Sequence, residues 1–462
     1  MKIWDKIGNN FDIKIENFTS NKDSKLDIFL APHDVVATIA HIIMLYYIGL
    51  LSKKELNILI KELRNIYINE ILKNKFKIND GVEDVHSQIE FLLIERIGNI
   101  GKKIHIGRSR NDQILVDLKL FVRLELKELV LIVYSFFNLL LKLSEKYKKI
   151  LMPGYTHYQI AMPSSFGLWF SAYAESLMDD LLLINVAYHI VNKNPMGSAA
   201  GYGSSLPLNR KMTTYLLGFE NLNYNVLYAQ MGRGKIEKIV SEAIASLART
   251  LGKMAQDICL YLNQNFDFIS FPDFLTTGSS IMPHKKNPDV FEIIRAKCNR
   301  ISALPNEISI ISSNLSSGYH RDFQLIKERF IPMFEEIKNC FFMFKYMLNY
   351  IKINENILND KKYHYLFSVE VVNNLVIKKG YSFRDAYKKV GLDIKNGNFK
   401  PFMKGVYSHE GSIGNLCNKE IKNMMKNIII KFDFKQISNV IKRLIYSKIN
   451  FDKSSKNPIF SL

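Results

Sequence analysis

The sequence predicts an all-α protein built around a bundle of unusually long helices, and three observations carry that expectation. Residues 111–152 contain no glycine or proline, and apolar side chains recur there at helical spacing: Ile114, Leu118, Val122, Leu126, Leu129, Val133, Phe137 and Leu140. Four later stretches have the same character. Strand signals are few, with no sustained alternation and no Asn-Gly or Asp-Gly turn between β-branched runs.

Taken in order, residues 1–107 read as shorter helices with polar joints, and 108–360 as the long-helix region. Residues 361–462 read as a second small helical unit, which makes three domains in all. Asn111 or Asp112 can cap the long run and Pro153-Gly154 stops it. About 40 residues at 1.5 Å each give a helix about 60 Å long, which only a bundle or an oligomer can cover. The next helix is expected over 165–192, ended by Asn194-Pro195 and the glycine-rich PMGSAAGYGSSLP. Others are expected over 235–265, over 288–314 with a kink at Pro305, and over 322–353 with a bend near Pro332.

The 462 residues are 47% hydrophobic and 23% charged, a globular composition. The net charge of +19 invites a nucleic-acid reading, but lysine and arginine are spread along the whole chain rather than gathered in one stripe. The four cysteines lie far apart without a CxxC pair, which fits free thiols in a reducing compartment. The opening MKIWDKIGNNFD has no apolar signal core, and the apolar run 129–141 is shorter than the ~20 residues of a membrane span. A cytoplasmic location is expected.

No HExxH, EF-hand loop, complete Walker loop, dinucleotide fingerprint or GxSxG elbow is found. Gly232-Arg233-Gly234-Lys235 lacks the leading glycine of a phosphate loop, and Ile236 stands where a magnesium ligand belongs. The expectation is therefore chemistry on side chains alone, with no metal and no other cofactor.

Three stretches stand apart from the helical background. Gly107-Arg108-Ser109-Arg110-Asn111-Asp112-Gln113 opens the longest helix, where guanidinium groups and free N–H groups favour a carboxylate. Met152-Pro153-Gly154-Tyr155-Thr156-His157-Tyr158-Gln159 places a histidine, a proton carrier near neutrality, in a turn between two long helices. Thr276-Thr277-Gly278-Ser279-Ser280 supplies hydroxyls, and Lys285, Lys286 and Asn287 follow just before a helix with Pro288 at its first position. Glu292 lies on the first turns of that helix.

Together these stretches resemble the fumarase/aspartase superfamily, whose GSSxMPxKxNP signature reads here Gly278-Ser279-Ser280-Ile281-Met282-Pro283-His284-Lys285-Lys286-Asn287-Pro288. GRSRNDQ, MPGYTHYQ and Glu83-Asp84-Val85-His86-Ser87 resemble its argininosuccinate lyase family. The resemblance runs from about Leu26 to about Lys327, and Gly380-Tyr381-Ser382-Phe383-Arg384-Asp385-Ala386 fits the family's C-terminal region.

It implies cleavage of argininosuccinate to arginine and fumarate, the last step of arginine biosynthesis, through a doubly negative aci-carboxylate. Ser279 is implied as the base, with Lys285 and Asn287 stabilising the intermediate. His157 would serve or assist the acid, oriented by Glu292. Ser109, Arg110, Asn111 and Thr156 would hold the fumarate side, and Tyr319, Gln324 and Lys327 the arginine side. His86, Asp27 and Arg233 are further substrate-binding candidates. The resemblance also implies a homotetramer whose active sites each draw on three subunits around a bundle of about twenty helices.

Departures from the pattern are His284, Gln88, the reduced Trp4-Asp5-Lys6, and Ala229-Gln230-Met231-Gly232-Arg233-Gly234, where only Arg233 is retained. Adenylosuccinate lyase is disfavoured by Lys286 and GRSRNDQ, and fumarase or aspartase by the loop sequence. A non-catalytic scaffold is disfavoured by the intact Ser279, His157, Lys285 and Glu292.

Overall fold

A computed structural model describes residues 13–20, 23–402, 407–451 and 458–461, so Trp4-Asp5-Lys6 lies outside the described residues. The helices that position the site are α1 (Ala31–Tyr47), α2 (Val85–Ile97) and α3 (Arg110–Tyr147), then α4 (Phe166–Val191) and α5 (Arg210–Leu216). They are followed by α6 (Lys235–Tyr261), α7 (Asp289–Ile311) and α8 (Phe323–Leu348). Three more, α9 (Ser368–Lys379), α10 (Phe383–Lys395) and α11 (Lys435–Ile441), lie in the C-terminal part.

Helix α3 runs for 38 residues, or about 57 Å. Ser109 caps it by accepting the Asn111 N–H, while the Asp112 carboxylate accepts the Ser109 N–H. Its apolar stripe, from Leu118 through Leu126, Val133 and Phe137 to Leu140, is buried in one large core that also takes in α1, α4, α6, α7 and α8. Pro305 and Pro332 sit inside α7 and α8 as expected.

The expected helix over 111–152 stops at Tyr147, and the chain then forms a hairpin of β1 (Leu151–Thr156) and β2 (Gln159–Ser165). Proline at position 153 cannot continue a helix. At Gly154 the register shifts, and a Cβ there would lie 2.9 Å from the Met162 carbonyl, so only glycine lets the strands approach. Helix α6 likewise ends at Tyr261 rather than 265 and α8 at Leu348 rather than 353. Helix α7 covers Asp289–Ile311, with Pro288 as its cap rather than its first residue.

One stretch among the described residues, Lys25–Tyr47, is long and apolar enough to cross a membrane, a point the sequence reading passed over. It is 83% buried inside the fold, as a core helix would be.

The bundle has two chemically distinct ends. At one end lie the N-termini of α3, α6 and α8, together with the C-terminus of α7, where Ser312 abuts Gly234. At the other, Phe266 beyond α6 stacks edge-on against Tyr155 of the hairpin, with ring centroids 5.5 Å apart. There, too, Phe274 meets Tyr350 beyond α8, and Ile269–Ser270 pairs with Lys352–Ile353. The 23 residues of α7 set these ends about 35 Å apart.

Candidate active site

The first end holds a cavity of about 150 Å³ lined by Asp27, Glu83, Asp84, His86, Arg110, Asn111, Ile114, Arg233, Tyr319, Arg321, Gln324 and Lys327. Eight of these were expected from the sequence, although they come from segments as far apart as 27 and 327. Ser109 stands beside them as the cap of α3, its hydroxyl turned to the Asn111 N–H.

Each cation here has an acidic or carbonyl partner. The Lys327 ammonium lies 2.7 Å from Asp27 Oδ1, both buried. Arg110 donates from Nη2 to Ser87 Oγ at 2.7 Å, pairs through Nε with Asp84 at 3.2 Å, and also holds Glu83. Glu83 in turn reaches Arg321 at 3.4 Å, and Arg321 donates to Gln324 Oε1 at 3.0 Å. Arg233 pairs with Glu237 at 2.8 Å and donates to the Phe323 carbonyl at 3.2 Å. The cavity thus presents both signs of charge, a lining suited to a zwitterion carrying carboxylates and a guanidinium.

His86 is the buried hinge of this lining. Its Nδ1 lies 3.0 Å from Asp34 Oδ1 on α1 and 3.6 Å from Asp117 Oδ2 on α3. Burial opposes its charged form, but Asp34, Asp117 and Asp84 outweigh that and push the imidazole up to about 9. Burial and the neighbouring Asp34 push Asp117 well above the usual carboxylate range. The ligand atoms of Asp34, His86 and Asp117 lie within 4.8 Å of one another, a spacing that would admit a cation. Arg108 Nη2, 3.8 Å from Asp34 Oδ1, already supplies positive charge there, so these residues fit an internal ion network better than a metal.

A histidine raised from 6.5 to about 9 contributes stability in full below pH 6.5 and loses it as pH rises through 9. The melting temperature is therefore expected to fall between these values, and His86→Asn to flatten that slope in melts across the same buffers. An unchanged slope in the variant would place the titration elsewhere.

The second end holds the other expected residues. Thr156 pairs with Gln159 across the hairpin, leaving His157 and Tyr158 as the two tip residues, with φ of 53° and 58°. His157 is therefore at an exposed hairpin tip, not in a turn joining two helices directly. Two successive left-handed residues match the twist of a tight hairpin but favour Asn-Gly; holding His and Tyr there costs about 1–2 kcal/mol each.

The signature loop leaves and rejoins the fold through a narrow neck. The Asn287 N–H donates to the Thr277 carbonyl at 2.8 Å, Asn287 Nδ2 donates to the Gly278 carbonyl at 3.2 Å, and the Thr277 hydroxyl donates to Asp289. Lys286 pairs with Asp273 outside the neck. Lys285 and His284 are exposed on the loop. Within it, the backbone N–H groups of Met282 and Ile281 point at Ser279 Oγ, at 3.2 and 3.4 Å. Two N–H donors aimed at one hydroxyl oxygen are the arrangement an alkoxide needs.

Glu292 lies exposed on the first turn of α7, and among the described residues no hydrogen bond or ion pair joins it to His157. The expected orienting contact is not made within one chain. The chain also does not bring Ser279, Lys285, His157 or Thr156 to the cavity, which lies at the opposite end of α7.

Glu83, Asp84, Ile114 and Arg321 line the cavity without having been site candidates. The first two stand inside a motif already quoted and Arg321 lies between the candidates Tyr319 and Gln324, so their neighbours were the available signal. Asp34 and Asp117 were also missed; a single carboxylate in an otherwise apolar helical run, as in ILVDLKLF, was the mark that could have found them. Two departures have local reasons. Gln230 is fully buried and donates to Ser198 Oγ and the Ala199 carbonyl, fastening the glycine-rich loop beside the site. Gln88, also buried, accepts the Asn79 N–H at 2.9 Å.

A protein-family profile described as "Lyase" matches residues 12–303. The argininosuccinate lyase of Parabacteroides distasonis is 57% identical over 445 residues, covering 96% of this chain and 99% of that one. Among solved structures, an EDDS lyase variant with bound fumarate superposes with a TM-score of 0.74 over 95% of both chains at 19% identity. A class II fumarase from Schistosoma mansoni gives 0.67 over 88% of this chain and 91% of its own, also at 19% identity. The fold is all-α and fumarase-like.

Proposed function

The chain belongs to the argininosuccinate lyase family of the fumarase/aspartase superfamily, and from that premise we propose how its residues divide the reaction. It is a carbon–nitrogen lyase that eliminates arginine from argininosuccinate and leaves fumarate. The observation that carries our reading is Ser279 with two backbone N–H groups directed at its oxygen.

Ser279, as alkoxide, removes the proton from the carbon next to a carboxylate, and the charge spreads into an aci-carboxylate. Lys285 and Asn287, on the same loop, stabilise that charge without reorganising. His157 serves or assists the acid that protonates the departing guanidino nitrogen, with Glu292 orienting it. Ser109, Arg110, Asn111 and Thr156 hold the fumarate half. Tyr319, Gln324 and Lys327, with Asp27, His86 and Arg233, hold the arginine half, and Glu83 and Asp84 add the acidity a guanidinium requires.

The proton-transfer group and the binding cavity sit at opposite ends of one bundle, so a complete site takes residues from more than one chain. A homotetramer with sites shared by three subunits meets that requirement. Large apolar side chains on the outer helix faces support it, among them Leu131, Val186, Ile293, Ile310 and Phe342, each at least half exposed in a single chain. We divide the chain at 1–107, 108–360 and 361–462; the small separate core of Val372, Leu375, Ala386 and Val390 between α9 and α10 supports the last unit. Four free thiols are in keeping with a cytoplasmic location.

Fumarate release followed by ultraviolet absorbance, with argininosuccinate, adenylosuccinate and aspartate in separate cuvettes, tests the substrate. Turnover of argininosuccinate alone is expected. Turnover of adenylosuccinate in its place would overturn the assignment.

A further inference from the structure

Arg123 lies 13 residues after Arg110, about 20 Å along α3 from the active-site cavity, and is 1% exposed. Its Nη1 and Nη2 donate to the carbonyls of Leu217 and Gly218 just beyond α5, at 3.0 and 2.6 Å. The guanidinium carbon sits 4.4 Å from the centre of the Phe219 ring. These contacts satisfy part of the group, but Nε has no hydrogen-bond partner, and among the described residues no carboxylate forms an ion pair with it. A buried guanidinium facing only carbonyl dipoles, the Phe219 ring and the Tyr188 hydroxyl lacks a full counter-charge.

Beside Arg123 is a separate cavity of about 70 Å³ between α1, α3 and α11. Apart from Arg123, His33 and Tyr67 its lining side chains are apolar, Val36, Leu120, Leu124, Val440 and Ile441 among them. His33 also lines it and is neutral, because burial and then Arg123 push its imidazole down to about 3. Among the described residues Arg123 is therefore the one cation on these walls.

We propose that this cavity binds a short monocarboxylate, of the size of acetate or propionate, with its carboxylate on Arg123 and its alkyl end against the aliphatic wall. The size follows from the volume: cavities of about 150 Å³ take benzene, and this one is half as large. The single charge follows from the lining. A dicarboxylate or phosphate would leave a second negative charge against aliphatic side chains with no partner. Because the walls come from the N-terminal part, the long-helix region and the last helices, an occupant ties the three together.

The test is thermal melting of the full chain with sodium propionate at constant ionic strength. Sodium chloride and the uncharged propionamide serve as controls. A saturable rise in melting temperature with propionate alone is expected. Ile441→Phe, which fills the cavity while keeping Arg123 and leaves argininosuccinate turnover unchanged, should abolish the rise, and so should Arg123→Met. If Arg123→Met fails to fold, Ile441→Phe decides. No saturable rise in the parent protein overturns the proposal. A rise that persists in Ile441→Phe does so too, since propionate would then be occupying the carboxylate cradle of the active site.

Discussion

Replacing Ser279 by alanine is expected to lower kcat by about a thousandfold, the scale of losing a positioned proton-transfer group. KM for argininosuccinate should move by no more than a few-fold, because Arg110, Gln324 and Lys327, the proposed binding groups, are left in place by the substitution. The size of the effect follows from the loop's geometry. A serine hydroxyl is a poor base in water, but the N–H groups of Met282 and Ile281 already face its oxygen. They are held by the loop's own backbone, so stabilising the alkoxide costs no rearrangement when the proton moves. Steady-state fumarate production by parent and variant, with assembly checked by light scattering, reads the change. A variant retaining a tenth of parental kcat would transfer the role of base to another group.

The second large effect is a recovery. Ser279→Ala and Arg110→Ala proteins should each be nearly inactive, yet subunits mixed by joint unfolding and refolding should regain activity. On the shared-site reading, one chain supplies Ser279 and another Arg110 to the same site, so random assembly restores roughly a quarter of the sites. A site built within one chain could not be restored in this way, since every chain would carry one of the two defects. Absence of recovery in correctly assembled hybrids would rule out the division of the site between chains.

The long helices were legible because their cause is local. A run without glycine or proline, apolar at every third or fourth position, has few alternatives to helix, and Ser165 and Pro288 marked helix starts closely. The β1–β2 hairpin was not legible. Its turn residues are His157 and Tyr158 rather than Asn-Gly, so the usual signal for φ > 0 is missing. Four helix ends were overrun by three to five residues, because sequences such as Leu262-Asn263-Gln264-Asn265 remain compatible with helix and tertiary contacts decide where it stops. For the candidate site, motif residues such as Arg110, Tyr319, Gln324 and Lys327 were readable one by one. What could not be read was their grouping: Lys327 meets Asp27 across 300 positions of chain, and nothing local in either segment announces the other.

The length of α7 also bears on when the protein becomes active. On the shared-site reading, a single chain newly released from the ribosome carries the proposed substrate-binding cavity at one pole and the proposed base, Ser279, at the other, too distant to act together. Chemical competence on that reading arises only when chains meet, and catalysis is expected to depend on protein concentration. Dilution below the assembly threshold should silence the preparation while every polypeptide in it remains folded.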